Sequence, residues 1–201
     1  DSVNSVWFYT MLSSLRRSHG GLTSASIRRV EALSRRGYHS IVAVAEYVDS
    51  LEVLEEELRI TGEISDSEIR CMYHDICAWP ELVTGWVDHE SLSERPPEPT
   101  VVESQAGSVR MTAYLGSTGS TVISEFSLAS GGERWYSVFD ERGNTIASCS
   151  NWELRRRWFR WLDRSHRSVF FIDGVSMGQA LAPVQLENGV KYLMQHGAHL
   201  S

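Results

Sequence analysis

The spacing of apolar residues changes twice along this chain of 201 residues, and those changes restrict the folds that it can adopt. Up to residue 94, short runs of consecutive apolar residues alternate with stretches in which apolar residues recur every three or four positions. Over residues 109–148 apolar and polar residues alternate instead, which is the period of a β-strand with one buried face. The helical spacing returns at Asn151. This order predicts an antiparallel β-meander inserted into an α/β domain.

The first part of the chain predicts a parallel sheet with helices on both of its faces. The apolar runs at residues 6–12 and 41–45 have the composition of fully buried strands. Helical spacing follows each run, at residues 23–36 and 51–61, and Thr23 is a candidate cap for the first helix. Strands and helices that alternate in this way indicate an α/β fold.

The boundaries of the β-rich insertion follow from turn residues and from the return of the helical pattern. The sequence ERPPEP excludes a helix where the insertion begins. After residue 151 a helix is predicted, followed by two buried strands at residues 168–172 and 190–195. We therefore predict three segments: 1–94 and 151–201 form the α/β part, and 95–150 forms the insertion.

Composition excludes several classes of protein. The net charge of -7, from 26 acidic and 19 basic residues, argues against a nucleic-acid-binding protein. No apolar run approaches the roughly 18 residues that a membrane span requires. Three cysteines without a recognisable leader sequence predict reduced thiols. We therefore predict a soluble cytoplasmic protein without an integral membrane segment.

A glycine pair joins the first predicted strand to the first predicted helix. Backbone amides at Gly20 and Gly21, next to a helix N-terminus, could hold a phosphate group. A simple flexible turn is the alternative, because neither a dinucleotide-binding fingerprint nor a Walker loop is present.

The segment from Gly174 to Gly178 has the pattern G-x-S-x-G after a predicted strand, which is also the pattern of a serine-hydrolase nucleophile elbow. In that fold an acid and then a histidine follow the serine on further strands. Here Glu187 is the only acid that follows, and His196 on the next predicted strand lies too close to Ser176 in the sequence. We interpret Ser176 as a helix cap instead, and the serine hydrolase remains an alternative.

Two histidine-containing patterns raise the question of ligand binding. Cys71, His74 and Cys77 could contribute to a metal site, but no fourth ligand is evident and no metal is predicted. His196 and His199 follow the last predicted strand, where the carboxyl ends of parallel strands face a ligand crevice. They could contact a sugar or a phosphate, or they could belong to a solvated loop.

Taken in order, these segments resemble the GT-B glycosyltransferases that carry a Gly-Gly-Leu-Thr loop. The resemblance rests on GGLTSASIRRVEALSRRGY at residues 20–38, on the β-rich insertion, on the strand FFIDG, and on the final QHGAHL. The chain is most similar to poly(glycerol-phosphate) α-glucosyltransferases of wall teichoic acids and to relatives that glycosylate serine-rich surface proteins. The resemblance implies a Rossmann-like N-terminal GT-B domain with an inserted antiparallel β-meander, and a donor-binding domain after Ser201.

The resemblance also implies an activity and the residues that serve it. A sugar would pass with retention from a nucleotide-sugar donor such as a UDP-sugar to a hydroxyl of a cell-wall polymer or protein. Gly20 and Gly21 would approach the donor phosphate, His196 would act as the catalytic contact to the transferred sugar, and His199 would bind substrate. No metal or further cofactor is implied, and the chain without its donor domain should be inactive. Gly197-Ala198 replaces a polar pair often found between the histidines.

The insertion allows a non-catalytic alternative on the same scaffold. Insertions of this kind can mediate subunit assembly, so a homo-oligomer is expected. The strand with Trp135, Tyr136 and Phe139 would serve self-association or carbohydrate binding if these aromatic side chains were exposed. The alternative function is therefore an oligomerisation or carbohydrate-binding module.

Overall fold

A computed structural model of the chain describes residues 6–15, 21–86 and 95–194. The chain divides into two compact units, one made of Asp1–Met72 with His166–Ser201 and the other of Tyr73–Ser165. Each unit contains one sheet of five strands, parallel in the first unit and antiparallel in the second. The predicted α/β fold with a separate antiparallel sheet is therefore confirmed.

The first unit is a parallel sheet with helices in its connections. Its elements are β1 (Trp7–Leu12), α1 (Gly21–Ser34), β2 (His39–Val44), α2 (Leu51–Ile60), β3 (Glu68–Cys71), β9 (Ser168–Asp173), α5 (Val175–Leu181) and β10 (Val190–Met194). The strands lie in the order β10-β9-β1-β2-β3, so β1 occupies the centre. Central strands are shielded on both faces, which explains the unbroken apolar runs of β1 and β2. Strand β10 lies at an edge of the sheet and none of its residues is buried, so the prediction that it is a buried strand is wrong.

Helix α1 is longer at its start than the sequence predicts. It begins at Gly21, so Thr23 lies inside the first turn and the prediction that Thr23 caps the helix is wrong. Ile27 and Val30 are buried as predicted. Gly37, with a φ of +80°, ends this helical segment in a left-handed conformation that residues with a Cβ atom rarely adopt.

Glu31 fixes α1 to the segment that precedes β3. Its carboxylate accepts hydrogen bonds from the Ser65 amide at 2.8 Å, the Ser65 hydroxyl at 2.7 Å and Arg35 Nε at 2.7 Å. Burial alone would raise the pKa of Glu31, but these hydrogen bonds outweigh it and hold the pKa below its usual value. The anchored carboxylate helps to set the position of α1, the helix that follows the glycine pair.

The second unit is an antiparallel sheet with helical elements before and after it in the chain. Its elements are α3 (Met72–Ala78), which begins at the unit boundary, a 3-10 helix (Pro80–Thr84), β4 (Thr100–Ala106), β5 (Val109–Leu115), β6 (Thr121–Leu128), β7 (Trp135–Phe139), β8 (Thr145–Ser150) and α4 (Asn151–Ser165). The strands pair in chain order. Trp158 of α4 is buried and its indole nitrogen donates to Asp75 of α3 at 2.7 Å. The predicted insertion 95–150 contains all five antiparallel strands, and the compact unit around them is wider because α3 and α4 belong to it.

A hydrogen-bonded group of tyrosines lies in the interior of the second unit. The Tyr73 hydroxyl donates to Glu125 Oε2 at 2.9 Å and lies 3.0 Å from the Tyr136 hydroxyl. Burial raises the pKa of Tyr136 above its usual value. Tyr136 is therefore a core residue and does not meet the condition of exposure, whereas its neighbour Trp135 is 53% exposed and Phe139 is half-buried.

The helices of both units are short or carry many polar residues. Within residues 6–15, 21–86 and 95–194, none of these helices has the length and apolar character that crossing a bilayer requires.

Candidate active site

The order of strands in the parallel sheet creates a topological switch point at its carboxyl edge, between β1 and β9. From β1 the chain continues to β2 on one side, whereas β9 lies on the other side of β1. The connections that leave β1 and β9 therefore diverge, and ligands of open α/β sheets bind at such a switch point. Functional side chains are therefore expected at the carboxyl end of β9.

A buried carboxylate occupies this position. Asp173 is the last residue of β9 and its side chain has no solvent exposure. One carboxylate oxygen accepts a hydrogen bond from Ser26 Oγ at 2.6 Å and another from Arg29 Nη1 at 2.9 Å. Ser26 and Arg29 lie on one face of α1, because residues three apart are neighbours on a helix. Asp173 therefore ties the end of β9 to the helix that begins at Gly21.

Arg29 is held from a second direction by an aromatic ring. Its guanidinium carbon lies 5.1 Å from the centre of the Phe171 ring, and Phe171 stacks on Tyr192 of β10 with their centres 5.8 Å apart. The Asp173 carboxylate and the Phe171 ring together hold the guanidinium of Arg29, whose side chain is 20% exposed. The arrangement links α1, β9 and β10 through three side chains.

The turn after β9 requires a glycine. Gly174 has a φ of +86° and a ψ of 153°, a conformation that is essentially restricted to glycine. The short helix α5 follows at once, and its last carbonyl groups are capped by the only lysine of the sequence. Lys191 Nζ donates to the carbonyl oxygens of Leu181 at 3.0 Å and Ala182 at 2.6 Å, and to that of Val184.

The strand, turn and helix around Ser176 follow the order of a nucleophile elbow, but the strained backbone conformation belongs to Gly174 and not to Ser176. In the described residues of the first unit, no histidine lies near Ser176 either. Ser176 is an exposed residue in the first turn of α5, and Gly174 occupies the N-cap position, so the interpretation of Ser176 as the cap is wrong. His39 and His166 stack on Trp7 at the amino edge of the sheet, with ring centres 5.0 and 4.1 Å from the indole. That edge is opposite to the one at which α5 begins.

The predicted site residues are only partly within the described ranges. Gly20, His196 and His199 lie outside the residues that the structure describes, whereas Gly21 is the first residue of α1. Strand β10 ends at Met194, whose register partner on β9 is Asp173. In the sequence, His196 comes two residues after Met194, the residue that pairs with Asp173.

Sequence reasoning assigned no role to the Ser26, Arg29 and Asp173 network. One signal was available, since an aspartate that ends an apolar strand before a glycine lies where ligands bind. Its partners could not be identified, because Ser26 and Arg29 are 147 and 144 residues away in the sequence.

Of the three residues considered for a metal site, Cys71 belongs to the first unit, and His74 and Cys77 belong to the second. Cys71 ends β3 and its thiol contacts the Glu46 carbonyl oxygen at 3.3 Å, whereas His74 and Cys77 belong to α3. All three side chains are buried. Among the described residues, no three His, Cys, Asp or Glu side chains are placed to share a metal ion.

No family model and no curated protein matches the sequence. The structure matches that of TarM, a poly(glycerol-phosphate) α-glucosyltransferase, with a TM-score of 0.55 and 11% identity over 96% of this chain. The chain has the fold of about half of TarM. The match covers 50% of the TarM chain, so this chain spans half of that enzyme's length.

A second TarM structure gives the same result. It is a point mutant of S. aureus TarM in complex with fondaparinux, alpha-GlcNAc-glycerol and UDP. It matches 93% of this chain and 50% of its own with a TM-score of 0.53 and 11% identity. The similarity to TarM confirms the predicted GT-B group at the level of the fold.

Proposed function

We propose that this chain is the acceptor-side part of a retaining glycosyltransferase, which moves a sugar from a nucleotide-sugar to a hydroxyl of a cell-wall polymer or protein. The observation that carries the proposal is the fold shared with TarM along almost the whole chain. The TarM point mutant is in complex with UDP and alpha-GlcNAc-glycerol, a nucleotide and a glycosylated alcohol. The anchored Asp173 network lies at the carboxyl edge of the parallel sheet, where ligands of open α/β sheets bind.

In the proposed reaction the protein mainly positions reactants and balances charge. The departing nucleoside diphosphate is itself a stable anion, so the paired carboxylates of many glycosidases are not required. Backbone amides at Gly20 and Gly21 would face the donor phosphate at the N-terminus of α1. His196 would contact the transferred sugar, and His199 would help to bind substrate. No metal or additional cofactor takes part in this proposal, in which the UDP-sugar is a substrate.

The purified chain alone should transfer no sugar. The half of TarM that this chain does not match would have to supply the remaining contacts to the diphosphate. The test is incubation with UDP-glucose or UDP-N-acetylglucosamine and poly(glycerol phosphate), with a denatured sample as the control. The same chain joined to a nucleotide-sugar-binding domain should then give a product with a retained anomeric configuration. Transfer by the chain alone, or no transfer by the joined protein, would contradict the proposal.

We further propose that the antiparallel sheet holds copies of the chain together as a homo-oligomer. The register places Val109 opposite Leu128, and Phe126 opposite both Met111 and Trp135, so these side chains share one face of the sheet. Leu128 and Trp135 are each 53% exposed. A continuous apolar face of this kind is typical of an association surface, and a second copy of the chain would cover it. Carbohydrate binding at Trp135 is the alternative.

Replacing the exposed residues of this face should lower the molecular mass in solution. Leu128→Ser with Trp135→Ser removes two apolar contacts, and tryptophan is enriched among residues that cost at least 2 kcal/mol when truncated at interfaces. Light scattering measures the mass before and after the change. Val175→Ser is the matched control, because Val175 is exposed and belongs to the first unit, which does not contain this sheet. An unchanged mass in the double variant would show that the sheet has no assembly role.

A further inference from the structure

A surface groove in the second unit is lined by arginine side chains. It has a volume of about 390 Å³ and lies between the 3-10 helix and α4. Volumes of about 300–1,000 Å³ are usual for ligand sites. Its apolar lining is formed by Leu82 and Val83, which are almost completely buried. We call this feature the arginine groove.

Three arginines reach the groove from one face of α4. Arg157, Arg160 and Arg164 are spaced by three and four residues, the spacing that aligns side chains along a helix. With a rise of 1.5 Å per residue, they extend over about 10 Å of the helix axis. The groove therefore presents a row of cations rather than a single one.

The arginines are positioned by the groove itself. Arg157 Nη1 donates to the Val83 carbonyl at 3.0 Å and its Nε donates to Glu153 at 3.1 Å. Arg164 Nη1 contacts the Gly85 carbonyl at 3.5 Å, and Arg160 Nη1 lies 3.6 Å from Glu153. These contacts already restrict the long side chains. Less conformational entropy is therefore lost when the arginines bind a ligand.

The guanidinium groups nevertheless remain accessible. The side chains of Arg157 and Arg160 are 30% and 42% exposed. A guanidinium has five N–H donors, and the contacts of Arg157 with described residues use two of them. Three arginines and one glutamate give the described lining a charge of +3 - 1 = +2, within a chain whose net charge is -7. The groove is therefore a local site of positive charge on an acidic protein.

We propose that the arginine groove binds successive phosphate groups of a linear anionic polymer. Planar guanidinium forks match phosphate oxygens in pairs, and such charge-assisted hydrogen bonds are among the strongest in proteins. One phosphate would engage only part of a row about 10 Å long, whereas a polymer with regularly repeated phosphates can engage the whole row. Binding at this site requires no sugar transfer, so it can be tested whether or not the chain is a transferase.

Inorganic polyphosphate is the probe, and its affinity for the 201-residue chain is measured by isothermal titration calorimetry at two salt concentrations. Arg160→Gln should weaken binding by about tenfold or more, because each hydrogen bond to a charged group contributes about 1.5 kcal/mol or more. Arg160→Gln with Arg164→Gln should weaken it further. Arg160 contacts no backbone carbonyl in the described residues, so its single variant keeps the groove intact. Binding of the unchanged protein should weaken as salt is added.

Arg110→Gln with Arg142→Gln is the matched control, because both arginines are exposed on the same unit and the charge change is equal. This control should bind polyphosphate almost as tightly as the unchanged chain. If the two double variants lost affinity for polyphosphate equally, general charge attraction would explain the binding, and the proposed site would be wrong. The absence of polyphosphate binding, or equally tight binding of polyglutamate, would also overturn the site. Inorganic phosphate that binds as tightly as the polymer would overturn the proposal of a polymer site.

Discussion

Asp173→Ala should lower the free energy of unfolding by about 3 kcal/mol. Removing one partner of a buried ion pair costs about 3–5 kcal/mol, because the remaining charge has lost both water and its partner. The lower end applies because the Arg29 side chain is 20% exposed and regains some hydration. The Ser26 hydroxyl, which is buried, also loses its acceptor. Urea denaturation followed by circular dichroism measures the change.

Changes at Arg29 distinguish the ion pair from simple loss of packing. Arg29→Met should destabilise the protein by a similar amount, because it removes the cation that faces the buried Asp173 carboxylate. The double variant should cost less than the sum of the two single variants, since their effects are coupled. Arg28→Met is the matched control on the exposed side of α1 and should change stability by about 0.5 kcal/mol or less. Wild-type stability of Asp173→Ala would contradict the anchoring role.

The sequence predicts those elements whose burial is uniform along their length. Strands β1, β2 and β9 were found because central strands of a parallel sheet carry unbroken apolar runs. Strand β3 was missed, since Glu68 and Arg70 interrupt it, and Arg70 is nevertheless buried. Strand β4 was missed because it lies at the edge of the antiparallel sheet and most of its residues are exposed. Strand β10 is also an edge strand without buried residues, but it was predicted because four of its five residues are apolar.

The sequence is less informative about side-chain roles. Tyr136 and Trp135 are consecutive aromatic residues, yet alternation along β7 places one in the interior and leaves the other exposed. Ser176 was interpreted as a cap from its position near a helix start, but the glycine-only conformation of Gly174 sets the N-cap two residues earlier. The hydrogen bonds of Asp173 depend on contacts across the fold that no local pattern encodes.

His196→Ala should lower kcat by on the order of 10²–10³ in a protein that joins this chain to a nucleotide-sugar-binding domain. That is the scale of losing one preorganised hydrogen-bond donor. In the proposed function His196 contacts the transferred sugar as charge develops at the anomeric carbon, so the lost interaction belongs mainly to the transition state. A loss of that kind lowers kcat with little change in KM. His199→Ala, at a substrate-binding position, should instead act mainly on KM.

The most direct test of the transferase proposal compares His196→Ala with Ser176→Ala in that joined protein. The measurement is the initial rate of sugar transfer from a saturating UDP-sugar, with circular dichroism as the check that both variants are folded. Ser176 is an exposed residue of α5, so Ser176→Ala should retain most of the transfer rate. His196→Ala should lose at least about 99% of it, in keeping with the lower limit expected for a lost donor. Loss of activity in Ser176→Ala, with transfer retained in His196→Ala, would contradict the proposed transferase site.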